Sequence, residues 1–160
     1  ILEKTARGGK IDKTLFPYGQ NRKIETDPNF SFSGLKTSLR YRLEKLSQEE
    51  LEREKPEICA AYQFAVVEQL RRRAEFFAQR GNYKSVGISG GVSNNSLFAE
   101  TFARLAKRVG AKFLVADRQY RGDNAAMIAF AAYARPEYLR QSAAHTLRVD
   151  PSWEITAPAQ

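Results

Sequence analysis

The stretch that decides the fold is SVGISGGVSNN, at residues 85–95. Residues 85–89 have the short apolar character of a buried strand, and the Gly-Gly pair leads into a helical pattern over 94–109. A second strand-like run follows at 112–116. Two strands joined by a helix favour parallel pairing, so the sequence predicts a short βαβ unit within an α/β fold.

A ligand site is predicted where the first strand meets the helix. Gly90 and Gly91 place no Cβ between the backbone and a ligand. A helix beginning near Asn94 would offer its N–H groups and the positive end of its dipole to a phosphate, and the Asn95 amide both donates and accepts. The stretch has no Gly-Lys-Ser/Thr, so a plain strand–helix connection capped by Asn94 is an equally good interpretation.

Asp123 is the second candidate, at the start of an almost wholly apolar helix predicted for residues 123–134. Helix capping accounts for an aspartate in this position. Contact with a metal ion or with a ribose is the functional alternative, although one carboxylate alone makes a poor metal site. The apolar helix is expected to be buried on most sides.

The remainder of the chain is predicted to be rich in helices and loops. A helix end and a loop occupy 1–29, a core occupies 30–135 and an extended tail occupies 136–160. Within the core, the pattern predicts a short strand at 30–32 and helices at 35–46, from 48, and at 57–80 after Pro56. Three successive arginines, at 71–73, are interpreted as solvated helix surface.

Composition limits the classes of partner and location. The net charge is +8 over 160 residues, which favours a polyanion such as nucleic acid but equally describes a solvated basic surface. No apolar run is long enough for a membrane span, and the single cysteine fits a reducing cytoplasmic setting. The chain begins at Ile1 and its one methionine is Met127, so we expect a segment of a longer protein.

Several catalytic classes find no support, and no catalytic residue is assigned. Cys59 has no histidine nearby in the sequence to activate it and is interpreted as a small core residue. His145, the one histidine, lies in the predicted tail and is expected to face solvent. The His-Glu-x-x-His pattern of zinc peptidases does not occur.

Three motifs occur in order and carry a family resemblance: FSFSGLKT at 30–37, GGVSNN at 90–95 and GDNAAMIA at 122–129. Together they closely resemble the tRNA threonylcarbamoyladenosine biosynthesis transferase family, formerly described as O-sialoglycoprotein endopeptidases or glycoproteases. Pro151-Ser152-Trp153 is similar to a Pro-x-Trp near the end of many members. The match covers nearly the whole chain and corresponds to the C-terminal part of the family.

The resemblance implies an actin-like ATPase fold of two lobes, each with a ribonuclease-H-like sheet, of which this chain is a C-terminal lobe portion. The family moves threonylcarbamoyl from threonylcarbamoyl-adenylate to the exocyclic amine of the adenosine 3′ of the anticodon. By resemblance, Asn95 contacts the adenylate and Gly90 and Gly91 form the loop beside it. Asp123 matches one ligand of a divalent metal, iron or zinc, whose other ligands are two histidines of a His-x-x-x-His motif.

That histidine motif and the family's first phosphate loop are absent from these residues, so the isolated segment is expected to be inactive. Asn94, Arg118 and Arg121 also depart from the usual family residues. The basic faces, including Lys36, Arg40 and Arg121, are expected to meet tRNA phosphates. The resemblance also implies a smaller paralogous subunit and an ATPase as partners, if the protein is bacterial.

Two alternative functions remain at this point. One is a carbamoyltransferase of small-molecule biosynthesis, which shares the nucleotide and metal architecture. The other is a non-catalytic paralogue that binds nucleotide or organises a complex. The FSFSGLKT motif and the net charge of +8 favour the tRNA enzyme.

Overall fold

The structure is a computed structural model that describes residues 2–17, 24–25 and 30–136. The chain divides into two compact units, Ile1–Asp123 and Asn124–Gln160. The described helices and strands are α1 (Leu2–Ala6), α2 (Ser33–Leu43), α3 (Gln48–Arg80), β1 (Ser85–Ile88), α4 (Ser96–Arg108), β2 (Lys112–Val115) and α5 (Ala125–Ala134), with 3₁₀ turns at Gly91–Asn94 and Arg118–Tyr120.

The predicted βαβ unit is confirmed. β1 and β2 pair in parallel, with Ser85 opposite Lys112 and Ile88 opposite Val115, and α4 forms the connection between them. The chain is therefore an α/β protein that is rich in helix and has one short parallel pair within its described residues. Residues 30–32 do not form the predicted strand, because the described sheet consists of β1 and β2 alone.

The predicted break at Pro56 is wrong, because α3 runs without interruption for 33 residues. The helix begins with a capping box in which Ser47 Oγ accepts from the Glu50 amide at 3.2 Å and Glu50 Oε2 accepts from the Ser47 amide at 2.8 Å. Pro56 removes one backbone hydrogen bond, yet the helix continues through it. Gly9 lies so close that a Cβ there would be 2.1 Å from the Pro56 carbonyl oxygen.

Two hydrophobic clusters share α3 as a common wall. The first cluster is formed by three parts of the chain, namely α2, the N-terminal half of α3 and the loop that follows α1. Its buried members are Phe16, Leu35, Ile58, Ala61 and Ala65. The second joins α3, the sheet and α4 through Val67, Ile88, Phe98, Phe102 and Leu105. The inward residues of α4 are the ones its 3.6-residue pattern predicts.

The sequence suggested that the arginine run at 71–73 is solvated surface, and the structure shows that this interpretation is wrong. Arg73 is only 1% exposed. Arg71 donates to Glu68 at 2.6 Å and also to Glu75, and Arg108 of α4 donates to the same Glu75 carboxylate. This ion network ties α3 to α4 beside the second cluster.

In the second unit, α5 does not show the burial expected from its apolar sequence. None of its residues is buried, and Tyr133 is 84% exposed. His145 and Pro151-Ser152-Trp153 lie outside the described residues. No helix in the described part of the chain has the length and apolar character needed to cross a bilayer.

The ion network predicts a pH-dependent contribution to stability. Burial raises the pKa of the Glu75 carboxyl, but hydrogen bonds and charges from Arg71 and Arg108 outweigh burial and hold the pKa below its ordinary value of 4.5. Because the folded pKa is the lower one, the contribution is present above about pH 4.5 and is lost as the pH falls through the folded value. Glu75→Gln should lower the free energy of unfolding at pH 7 by about 1.5–3 kcal/mol.

Urea unfolding between pH 3 and pH 7 measures this difference, which should shrink on the acid side. Glu100→Gln is the matched control, because the Glu100 side chain is 66% exposed and lies 3.7 Å from Arg104. Its effect should stay within about 0.5 kcal/mol. Equal losses in both variants would contradict the assignment.

Candidate functional site

The glycine turn (residues 90–94) follows β1, and hydrogen bonds from a buried serine fix its conformation. Gly90 has φ 77°, in the left-handed region that favours glycine. Ser93 is fully buried, and both its amide (3.0 Å) and its hydroxyl (2.7 Å) donate to the Gly90 carbonyl. Gly91 and Val92 are exposed, and their amides have no acceptor within the described residues. The turn therefore presents two backbone donors to an anion.

Asn95, and not Asn94, caps α4. Its Oδ1 accepts from the Phe98 amide at 2.9 Å, and its Nδ2 donates to Gln63 Oε1 on α3 at 3.1 Å. The predicted cap at Asn94 is therefore wrong by one residue. One N–H of the Asn95 amide is left for a ligand.

Glu3 occupies a second donor at the same end of α4. Its Oε1 accepts from the Ser96 amide at 3.1 Å, across 93 positions of sequence. Hydrogen bonds from the Ser96 side chain and backbone lower the pKa of the Glu3 carboxyl. Glu3 and Asn95 thus occupy the Ser96 and Phe98 amides at the start of α4, and neither residue occupies the amides of the glycine turn.

A cleft of about 340 Å³ lies between α1, α3 and the start of α4. Its polar lining includes Glu3, Arg7, Gln63 and Ser96. The volume falls within the range of roughly 300–1,000 Å³ seen for small-molecule sites. Gln63 links this cleft to the glycine turn through its bond to Asn95.

Arg121 connects the glycine turn to the segment that leads to Asp123. Its Nε donates to the Ala116 carbonyl at 2.7 Å, and its Nη1 donates to the Ser93 carbonyl at 2.9 Å. Two Cα–Cα steps put the Cα of Asp123 within about 7.6 Å of that of Arg121. Arg121, offered by the sequence as a phosphate contact, thus holds two loops together.

Asp123 is not the cap of α5. Asn124 takes that role, and its Oδ1 accepts from the Met127 amide at 3.0 Å. Asp123 is exposed, and its carboxylate has no hydrogen bond or ion pair in the described part of the chain. Capping therefore does not explain this aspartate, and its oxygens are available to a cation.

The described residues contain no group of three histidine, cysteine, aspartate or glutamate side chains that could hold a metal. Asp123 offers one carboxylate, and the described residues do not complete a metal site around it. Cys59 is half-buried within α3, and burial raises the pKa of its thiol. This environment makes Cys59 a poor nucleophile.

Sequence reasoning missed Glu3, Gln63 and Ser93, and it gave Arg121 a different role, contact with tRNA phosphates. Ser93 lies in the glycine motif, so its position carried a local signal. The other three act over 28 to 93 positions of sequence, and no local pattern marks such contacts.

Asn95 should contribute to stability independently of any ligand. Asn95→Ala removes both the cap and the bond to Gln63, and it should lower the free energy of unfolding by about 1–2 kcal/mol. Asn95→Asp keeps the cap acceptor and should lose less, because a carboxylate is favourable at a helix N-terminus. Thermal unfolding measures the order of stability, and an equal loss in both variants would contradict the capping role.

Comparisons with known proteins match most of the chain. A family model described as tRNA N6-adenosine threonylcarbamoyltransferase matches residues 1–130. A protein of that name from Pelodictyon phaeoclathratiforme is 39% identical over 135 residues, covering 81% of this chain and 39% of the relative. One from Chlorobium phaeobacteroides is 36% identical, with 81% and 38% covered. A longer match, to one from a Chelativorans species, is 32% identical and covers 99% and 45%. The chain thus spans about two fifths of the length of these relatives.

Proposed function

Because this chain belongs to the tRNA N6-adenosine threonylcarbamoyltransferase family, we propose that it forms the C-terminal part of such an enzyme. The reaction moves threonylcarbamoyl from threonylcarbamoyl-adenylate to the exocyclic amine of the adenosine 3′ of the anticodon. The supporting observation is the joint placement of free donors and a free carboxylate, linked through Arg121. The fold we propose for the parent is the two-lobed actin-like one, with this chain in the C-terminal lobe.

The glycine turn would hold the phosphate of the adenylate. The Gly91 and Val92 amides are fixed before the ligand arrives, because Ser93 holds the Gly90 carbonyl twice. Preorganised donors stabilise negative charge that develops during acyl transfer. The remaining Asn95 N–H would orient the adenylate, and Gln63 would fix the rotamer of Asn95.

Asp123 would supply one ligand to an iron or zinc ion. Such an ion, when bound, polarises an acyl oxygen and neutralises charge on the leaving phosphate. Asp123 suits this role because α5 does not use its carboxylate. The remaining ligands would come from residues outside this chain.

Two alternatives differ in what they require. A non-catalytic paralogue would need the backbone donors that bind the adenylate but would not need Asp123. A small-molecule carbamoyltransferase would need both the donors and Asp123, but it would not need a surface that binds a polyanion. The net charge of +8 supports the tRNA reaction over the latter. Partner subunits, namely a smaller paralogue and an ATPase, and a cytoplasmic location stay predictions.

Replacement of Asp123 in the full-length enzyme should abolish most transfer. Asp123→Asn keeps the shape of the side chain but removes its charge, so transfer to tRNA should fall by about 100-fold or more. The measurement is incorporation of labelled threonine into tRNA under single turnover. Asp117→Asn is the control, because Asp117 is exposed and its side chain caps no turn. Full activity of Asp123→Asn would reject the catalytic proposal.

The 160-residue chain alone should bind a transition metal weakly. Asp123 offers one ligand, and the described residues hold no group of three, so titration calorimetry with Zn²⁺ should show no saturable site at micromolar concentration. Asp123→Asn should leave the titration unchanged. Stoichiometric tight uptake that disappears in Asp123→Asn would contradict this prediction.

A further inference from the structure

The geometry points to the outer face of α2 as a surface that binds unpaired nucleotides of RNA. The α2 surface comprises Phe30, Lys36, Arg40, Tyr41 and Lys45, all of which are exposed. The inference rests on the proposed tRNA reaction and adds which feature of the RNA this chain contacts. Lys36 and Arg40 alone would meet phosphates of any nucleic acid, whereas the aromatic rings discriminate between paired and unpaired bases.

Two aromatic rings of the α2 surface are open to solvent. Phe30 is 55% exposed, and its ring stacks on Phe32 with centroids 6.3 Å apart and planes inclined by 22°. Phe32 packs against the first hydrophobic cluster, so the stack is anchored in the core. Tyr41 is 53% exposed, with the Arg40 guanidinium 5.3 Å from its ring centroid. Exposed rings and adjacent arginines are the groups on which unpaired bases stack.

One cation of this surface is paired within the chain, because Arg40 lies 3.3 Å from the Glu44 carboxylate four positions on. α2 contains Lys36, Arg40 and Arg42 and no acidic residue. Lys36 lies in the N-terminal part of the helix, where the dipole disfavours a cation, and four positions before another cation. Lys36 and Lys45 form no ion pair within the described residues. An anionic partner would compensate these charges.

The spacing fits a short run of nucleotides. From Ser33 to Tyr41 the helix rises about 12 Å, a length that a few unpaired nucleotides can span. Duplex RNA would use the cations but not the rings, because its bases are stacked inside a helix whose major groove is deep and narrow. An acidic peptide would likewise need only the cations. The rings therefore favour unpaired RNA over both.

Fluorescence anisotropy on the 160-residue chain tests the inference. The probes are a labelled RNA hairpin with an unpaired loop and a fully paired duplex of the same length. Phe30→Leu and Tyr41→Leu keep apolar bulk but remove the ring, and each should raise the Kd for the hairpin about fivefold or more. The Kd for the duplex should change less than twofold. Tyr41→Phe keeps the ring and should bind like the unmodified chain.

Tyr83→Leu is the matched control, because Tyr83 is 57% exposed and lies outside the α2 surface. It should leave both Kd values unchanged, while Lys36→Gln with Arg40→Gln should weaken both RNAs and flatten the salt dependence. Circular dichroism confirms equal helix content among variants.

Three results would overturn the inference: equal losses for hairpin and duplex in the ring variants, no loss for either RNA, or displacement of the hairpin by polyglutamate as effectively as by unlabelled hairpin. The outcome is separable from the reaction test. Loss of transfer in Asp123→Asn without hairpin selectivity would reject this inference alone. Hairpin selectivity with full activity of Asp123→Asn would reject the proposed catalytic role alone.

Discussion

The continuity of α3 is the constraint on which the first unit depends. This helix supplies Ile58, Ala61 and Ala65 to one hydrophobic cluster and Val67 to the other, and α1, α2 and α4 all pack against it. All four of these residues follow Pro56, so a break there would leave both clusters on one helix and would free only the first turns of α3, from which Leu51 packs against the first cluster. The backbone of Gly9 packs directly on the Pro56 carbonyl, so the segment after α1 contacts α3 at the turn that contains the proline.

The sheet and its crossover helix could be predicted from the sequence because their signals are local. Apolar runs of four or five residues and a 3.6-residue stripe on α4 do not depend on the rest of the chain. The α3 prediction failed because proline is a local breaker signal, whereas the packing that overrides it is tertiary. Arg73 failed for a similar reason: its charge predicts exposure, but its burial depends on what covers that side of α3.

The candidate site was predictable in part. Glycines at 90–91 identified the turn, but the caps were each misplaced by one residue because neighbouring Asn and Asp residues are all good caps. Those single steps change the chemistry. Moving one cap from Asn94 to Asn95 commits an amide oxygen to α4, and moving the other from Asp123 to Asn124 releases a carboxylate. Glu3 and Arg121 reach the site through contacts that no sequence spacing encodes.

The position of Gln63 on α3 also determines whether this part of the chain can tolerate an insertion. Gln63 holds Asn95 from the same helix whose Ile58 anchors the cluster behind α2. One residue inserted between Ile58 and Gln63 would turn Gln63 by about 100° around the helix axis and shift it by about 1.5 Å. Surface loops can lengthen at small cost. The stretch of α3 from Ile58 to Gln63, in contrast, sets the distance between Asn95 and the α2 surface. We therefore expect its length to be constant in proteins that use Asn95 and the α2 surface for one substrate.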